Sequence, residues 1–231
     1  MECIILAGGL GTRLQSVVKN IPKCMAMVSG KPFLYYIFQY LEKFQISEVI
    51  LSLGFKHEFV VNWVKQNNWP FKINFIVEKE PLGTGGALNL ATNYTKGSNV
   101  LVINGDTYFD VDINDLLKSH KEKGADITVA LKSIINFSRY DNVIIDQNNR
   151  IISFQEKQFC EKGYINGGIY LINIKKVLGN VSKDKFSFEK EVLQKKTNKL
   201  YMNGFLCNNY FIDIGIPEDF EKANFAFKTL F

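Results

Sequence analysis

The period of the hydrophobic positions changes along the chain, and those changes mark out its elements. Glu2–Leu6 is a short apolar run stopped by Gly8 and Gly9. Beyond Pro32, apolar residues fall at Phe33, Ile37, Tyr40, Leu41 and Phe44. That is the spacing of one helical face, with proline near the first turn where its missing N–H is harmless. β-Branched residues crowd Glu48–Leu53, a strand, and Glu58–Gln66 reads as the next helix. Ile73–Val77 is a third strand, Thr84–Thr92 an Ala- and Leu-rich helix, and Asn99–Ile103 a fourth strand. Asp112–Lys121 reads as a helix with an aspartate cap. Strands alternating with helices predict a parallel sheet with helices on both faces.

The pattern then turns hairpin-rich. Ile127–Lys132, Asn142–Asp146 and Arg150–Gln155 are strands, the last two joined by Gln147-Asn148-Asn149. Tyr164–Ile172 is a strand interrupted by Gly-Gly, Ser187–Lys195 a helix with a serine cap and early acids, and Pro217–Phe227 the closing helix. No repeat or Pro/Ser-rich linker separates the halves, so residues 1–231 read as one α/β unit with a mixed sheet.

Composition narrows the chemistry. With 231 residues, 46% of them hydrophobic, the chain can bury a sizeable core. No apolar run approaches the ~18–20 residues of a membrane span. Met1–Leu6 enters Gly-Gly without a basic leader, so no secretory signal is expected and the location reads as cytoplasmic. The net charge of +5 permits an anionic ligand, but no segment concentrates the lysines as a nucleic-acid surface would. Cys3, Cys24, Cys160 and Cys207 are scattered, which implies free thiols and neither a disulfide framework nor a zinc site. His57 and His120 lie in charged helical stretches and read as surface residues, so a histidine-based nucleophile is not expected.

The loop Leu6-Ala7-Gly8-Gly9-Leu10-Gly11-Thr12-Arg13-Leu14 follows the first strand. Its glycines let backbone N–H groups approach a phosphate, and Arg13 with Lys23 suits the phosphates of a nucleoside triphosphate. Leu14 stands where the dinucleotide fingerprint wants a third small residue, and no Gly-Lys-Ser/Thr is present, so both common nucleotide motifs are disfavoured.

Gly8-Gly9-x-Gly11-Thr12-Arg13-Leu14 followed by Pro22-Lys23 resembles the signature of the sugar-1-phosphate nucleotidylyltransferases, and further motifs follow in that family's order. The usual pattern has Pro, Thr and Pro where this chain has Ser16, Val18 and Cys24; Leu14–Val18 is similar to the branch acting on heptose 1-phosphate. The resemblance implies a three-layer α/β/α Rossmann-like nucleotidyltransferase fold with a mostly parallel mixed sheet. It also implies a nucleotide-binding half over 1–111 and a sugar-phosphate half over 112–231, with no room for the C-terminal modules of larger relatives.

In Glu78-Lys79-Glu80-Pro81-Leu82-Gly83-Thr84-Gly85-Gly86 the resemblance implies a base-reading segment, with Glu80 as reader and Gly85 beside the base. Guanine's Watson–Crick edge presents two donors, which a carboxylate satisfies and an amide does not. Glu80 therefore points to GTP; cytosine's acceptor-rich edge would pair with it poorly. Asp106, in Asn104-Gly105-Asp106 at a strand end, and Asp213 are implied metal ligands; two carboxylates plus phosphate oxygens fit Mg²⁺. Glu156 and Asn166 are implied to hold the sugar hydroxyls and Lys157 the sugar-phosphate side, with Gly167 leaving more room beside the sugar where the family has Ala.

The nucleotide set is then Leu6, Ala7, Gly8, Gly9, Gly11, Thr12, Arg13, Glu80, Gly85 and Asp106, with Arg13 and Lys23 catalytic. The expected reaction is transfer of GMP from GTP to a sugar 1-phosphate, heptose favoured over mannose, for nucleotide-sugar and surface-glycan synthesis. A non-catalytic nucleotide-binding regulator is the rival of another class, disfavoured because both aspartates are present. GTP and the sugar 1-phosphate are the expected partners, without nucleic acid or membrane. Self-association is left open.

Overall fold

A computed structural model describes the chain except for Leu10, Thr12, Gln15, Ser16, Lys19, Asn180 and Ser182. In chain order the first half holds β1 (Glu2–Ala7), a ribbon of β2 (Met27–Val28) and β3 (Lys31–Pro32), α1 (Phe33–Glu42), β4 (Glu48–Leu53), α2 (His57–Lys65), β5 (Lys72–Val77), α3 (Gly83–Thr92) and β6 (Asn99–Asn104). β4 and β6 flank β1, both parallel to it, and β5 adds outside β4. The chain therefore leaves β1 on one side through β4 and β5, then returns to its other side at β6. Where strand order reverses like this, loops beyond the strand C-termini diverge and open a crevice.

The second half extends the same sheet. β7 (Thr107–Phe109) and α4 (Ile113–Lys123) lead to β8 (Ile127–Phe137), the ribbon β9 (Asn142–Ile145) and β10 (Ile151–Gln155), β11 (Cys160–Asn173) and α5 (Ile174–Leu178). A π-helical turn over Glu189–Gln194, β12 (Met202–Cys207), β13 (Phe211–Asp213) and α6 (Pro217–Leu230) close the chain. β11 runs antiparallel to β6 and β8, and β12 parallel to β8, giving the order β12-β8-β11-β6-β1-β4-β5. The sheet is mixed and mostly parallel, as expected.

Side-chain alternation along the strands sorts the core into two layers. Cys3 and Ile5 of β1 pack toward α1, α2, α4 and α6, whereas Ile4 packs toward α3, α5 and the π turn. This is the three-layer arrangement. Asp112 caps α4 as its sequence suggests, accepting from the amides of Asn114 and Asp115. The serine cap also forms, the Ser187 hydroxyl accepting from the Lys190 amide at 3.2 Å.

Three sequence readings change. The helix expected over Ser187–Lys195 is a π turn at Glu189–Gln194. β12 had no strand signal because Asn203 and Gly204 look like a turn; Asn203 is buried and donates to Ser119 Oγ, and Gly204 lies against Leu131. His120 is not a surface residue: it is 3% exposed, its Nδ1 2.9 Å from Thr128 Oγ1, because its position on α4 faces β8. Among the described residues, no helix is long and apolar enough to cross a membrane.

Candidate active site

Two cavities open beyond the C-terminal ends of β1 and β6 and share the wall formed by Arg13, Asn104 and Asp106. The first, about 390 Å³, is lined by Leu6, Ala7, Gly8, Gly9, Gly11, Arg13, Lys23 and Asp106 from the expected set. The Gly105 amide donates to Leu6 O at 2.9 Å, fixing the β6 loop against that of β1. Gly11 has φ +58°, and a Cβ there would stand 3.2 Å from Lys23 Cβ, so glycine serves both the turn and the passage of the lysine stem. Thr12 lies outside the described residues.

Lys23 begins a short 3₁₀ turn after Pro22 and reaches both acidic candidates, 2.5 Å from Asp106 Oδ2 and 3.7 Å from Asp213 Oδ1. Antiparallel pairing of β13 with β7 brings these distant residues together, placing Asp213 opposite Thr107, and the Ile214 amide donates to Asp106 O at 3.0 Å. Burial and then the neighbouring Asp106 charge push the Asp213 carboxyl above its ordinary range, against the opposing pull of Lys23. One ammonium against two converging carboxylates leaves a local negative excess of hard oxygen donors. The pair fits Mg²⁺, which takes one or two protein carboxylates and fills the rest of its shell with water and phosphate oxygens. Among the described residues no cluster of three or more His, Cys, Asp or Glu side chains could hold a metal by itself.

The second cavity, about 240 Å³, contains Lys157, Asn166 and Asp213 of the expected residues. The Asn166 side chain bridges the bulge in β11: its Nδ2 donates to Tyr170 Oη at 2.8 Å and its Oδ1 accepts from the Gly168 amide at 3.0 Å.

Four expected residues are not brought to the lining. Glu80 is exposed and outside it, the third residue of the loop after β5. Glu78, directly at the strand end, lines the first cavity instead: Oε2 accepts from the Leu82 amide at 2.8 Å, and Oε1 lies over Gly8. Burial pushes the Glu78 carboxyl up. Gly85 turns its α-carbon to the Phe186 ring and its amide to Phe186 O at 3.0 Å, so it packs α3 rather than facing a base. Gly167 is backed by Phe109, with a Cβ placed only 2.9 Å from Ala130 O, and Gly168 lines the cavity in its stead. Glu156, one residue before Lys157, is exposed and is not part of the lining.

Other lining residues were not singled out from sequence. Asn104 lines both cavities, and its Oδ1 is buried without a hydrogen-bond partner among the described residues. Arg139 is paired with Asp219 of α6 and donates to Tyr140 Oη, holding the second cavity's wall to the start of α6. A signal for it existed: the chain has only three arginines, Arg13, Arg139 and Arg150, and the first two line the site. Glu189 is held in the wall by the hydroxyls of Thr84 and Ser187, at 2.6 and 2.7 Å.

Two cavities that meet at one polar wall, on a doubly wound sheet with a glycine loop, suit an enzyme that joins a nucleotide to a second substrate. The chain belongs to the nucleotidyl transferase family, whose profile matches residues 2–229. It is 47% identical over 223 residues to the D-glycero-alpha-D-manno-heptose 1-phosphate guanylyltransferase of Aneurinibacillus thermoaerophilus, covering 96% of each chain. It is 46% identical to the Campylobacter jejuni protein of the same name, covering 95% of this chain and 97% of that one. Its fold matches the crystal structure of HddC from Yersinia pseudotuberculosis complexed with GMP-PN at a TM-score of 0.89, with 41% identity over 98% of this chain and 99% of that one.

Proposed function

We propose that this chain transfers GMP from GTP to D-glycero-α-D-manno-heptose 1-phosphate, giving GDP-heptose and pyrophosphate. The observation that carries the reading is the pair of cavities meeting at Arg13, Asn104 and Asp106, where two substrates can touch. Near-full-length identity of 46–47% to guanylyltransferases of heptose 1-phosphate supports the particular substrates.

The first cavity takes the nucleotide and the second the sugar phosphate. Lining by residues 6–106 for the first, apart from Gly215, and by residues beyond 104 for most of the second supports the division into two halves. Glu78 takes the base-reading role expected of Glu80. Its carboxylate has only acceptors to offer, which matches the two donors of guanine. Lys157 supplies a point charge for the sugar phosphate and Asn166 a mixed donor and acceptor for hydroxyls.

A phosphate monoester has its second pKa near ~6, so at neutral pH the attacking group is already mostly dianionic and needs no general base. This agrees with a lining that contains no histidine among the described residues. Arg13, on the shared wall, neutralises charge where the bond exchanges. Lys23, which borders the first cavity beside both carboxylates, would add positive charge toward the phosphates. Mg²⁺, held by Asp106 and Asp213, would supply charge neutralisation on the phosphate oxygens. The buried thiols Cys3 and Cys24 fit a reducing, cytoplasmic setting.

The test is pyrophosphate release from each of the four NTPs with heptose 1-phosphate and mannose 1-phosphate in Mg²⁺ buffer. GTP with heptose 1-phosphate is expected to be fastest. Preference for another base removes the guanine assignment, and preference for mannose 1-phosphate makes this a mannose-1-phosphate guanylyltransferase.

A further inference from the structure

A polar pair in the second cavity is used by none of the steps above. Gln194 Nε2 donates to Asp141 Oδ2 at 2.9 Å, and both half-buried side chains line that cavity. Asp141 Oδ1 and Gln194 Oε1 make no hydrogen bond among the described residues, so each keeps an acceptor for a ligand.

The two residues arrive from different elements. Asp141 lies just before β9, and Gln194 is the last residue of the π turn. In α-helical winding Gln194 would be rotated about 140° from Glu189, and the two could not share a wall. The wider π winding, bonded i to i+5, brings the fifth residue back to the same face, and Glu189, Leu193 and Gln194 all line the cavity. The irregular turn thus presents Gln194 to the site.

Chemistry orients the sugar. Its phosphate must attack the nucleotide at the shared wall, so the sugar's far end extends into the part of the second cavity that the nucleotide does not reach. Asp141 and Gln194 belong to that cavity alone, beside the apolar Phe154 and Leu193. A seven-carbon sugar differs from mannose there: it ends in a 1,2-glycol instead of a single hydroxymethyl group.

We propose that Asp141 and Gln194 together bind this terminal glycol and discriminate seven-carbon from six-carbon sugar 1-phosphates. Asp141 accepts from one hydroxyl, and the Gln194 amide pairs with the other. The inference rests on the reading of the chain as a heptose 1-phosphate guanylyltransferase and assigns that selectivity to two residues.

The experiment compares kcat/KM for heptose 1-phosphate and mannose 1-phosphate, at saturating GTP, in the wild type, Asp141→Ala and Gln194→Ala. In each variant the heptose-to-mannose ratio is expected to fall about tenfold, with KM for GTP unmoved. An unchanged ratio, whether both sugars lose rate or neither does, overturns the proposal, because a merely structural role would affect both alike. Asp141→Asn, which keeps the side-chain shape, provides the same ratio if Asp141→Ala does not fold. A wild type without heptose turnover overturns the functional reading and this proposal together. Wild-type heptose turnover with an unaltered ratio in the variants overturns this proposal alone.

Discussion

Asp106 and Asp213 lie 107 positions apart in the chain, yet they share one lysine, and this contact organises the site. Replacing either by asparagine should lower turnover by about a hundredfold or more while leaving the melting temperature near that of the wild type, since the charge acts on the reaction. Near-normal pyrophosphate release from either variant would remove the metal assignment. The choice between Glu78 and Glu80 is a second residue-scale question. Glu78→Gln is expected to reduce selectivity for GTP over ATP about ten- to a hundredfold, the effect of leaving one guanine donor unpaired. Glu80→Gln should change it little, because Glu80 is outside the cavity. The sequence showed that an acidic side chain belonged in this motif. It could not show which one, because both follow β5 in an irregular loop and only the Leu82 amide selects Glu78.

At the scale of elements, several glycines mark where two segments touch. Gly83 combines φ +72° with a position where a Cβ would stand 2.6 Å from Phe186 O. Gly83→Ala should therefore destabilise the protein by about 1–3 kcal/mol, through backbone strain and overpacking together. Since each kcal/mol lowers the melting temperature of a protein this size by about 2–4 °C, thermal unfolding would detect it. An unchanged melting temperature would mean that the loop before α3 shifts freely. The same packing explains why Gly85 and Gly167, read from sequence as ligand-facing, turn to Phe186 and Phe109. The central strands were legible from periodicity, because β1, β4 and β6 are buried on both faces and read as continuous apolar runs. The π turn was not legible: an ordinary helical pattern of caps and acids does not encode one added residue per turn.

Across the whole molecule, buried titratable groups set the pH range of stability. Burial lowers the His120 pKa, so the unfolded chain takes up a proton more readily than the fold does. Stability from this group is complete above about pH 6.5 and is lost as pH falls through and below that value. Burial pushes the Cys24 thiol up to about 12 and that of Cys3 higher still, so stability from these groups is complete below the ordinary thiol range and declines as pH rises from 9.0. Urea midpoints measured from pH 5 to 10 should therefore form a dome. His120→Leu should flatten its acid arm, and an unaltered arm would assign acid sensitivity elsewhere. By itself the sequence determined the layered α/β class, the glycine loop, the separate carboxylates and the family, because periodicity, turn chemistry and short motifs are local properties of the chain. Only the tertiary structure decided that Glu78 rather than Glu80 lines the first cavity, that Arg139 and the Asp141–Gln194 pair join the second cavity, and that His120 is buried. Those outcomes depend on strand pairing between distant segments, on helix winding and on which face meets the core, and none of these is carried by a residue's neighbours in sequence.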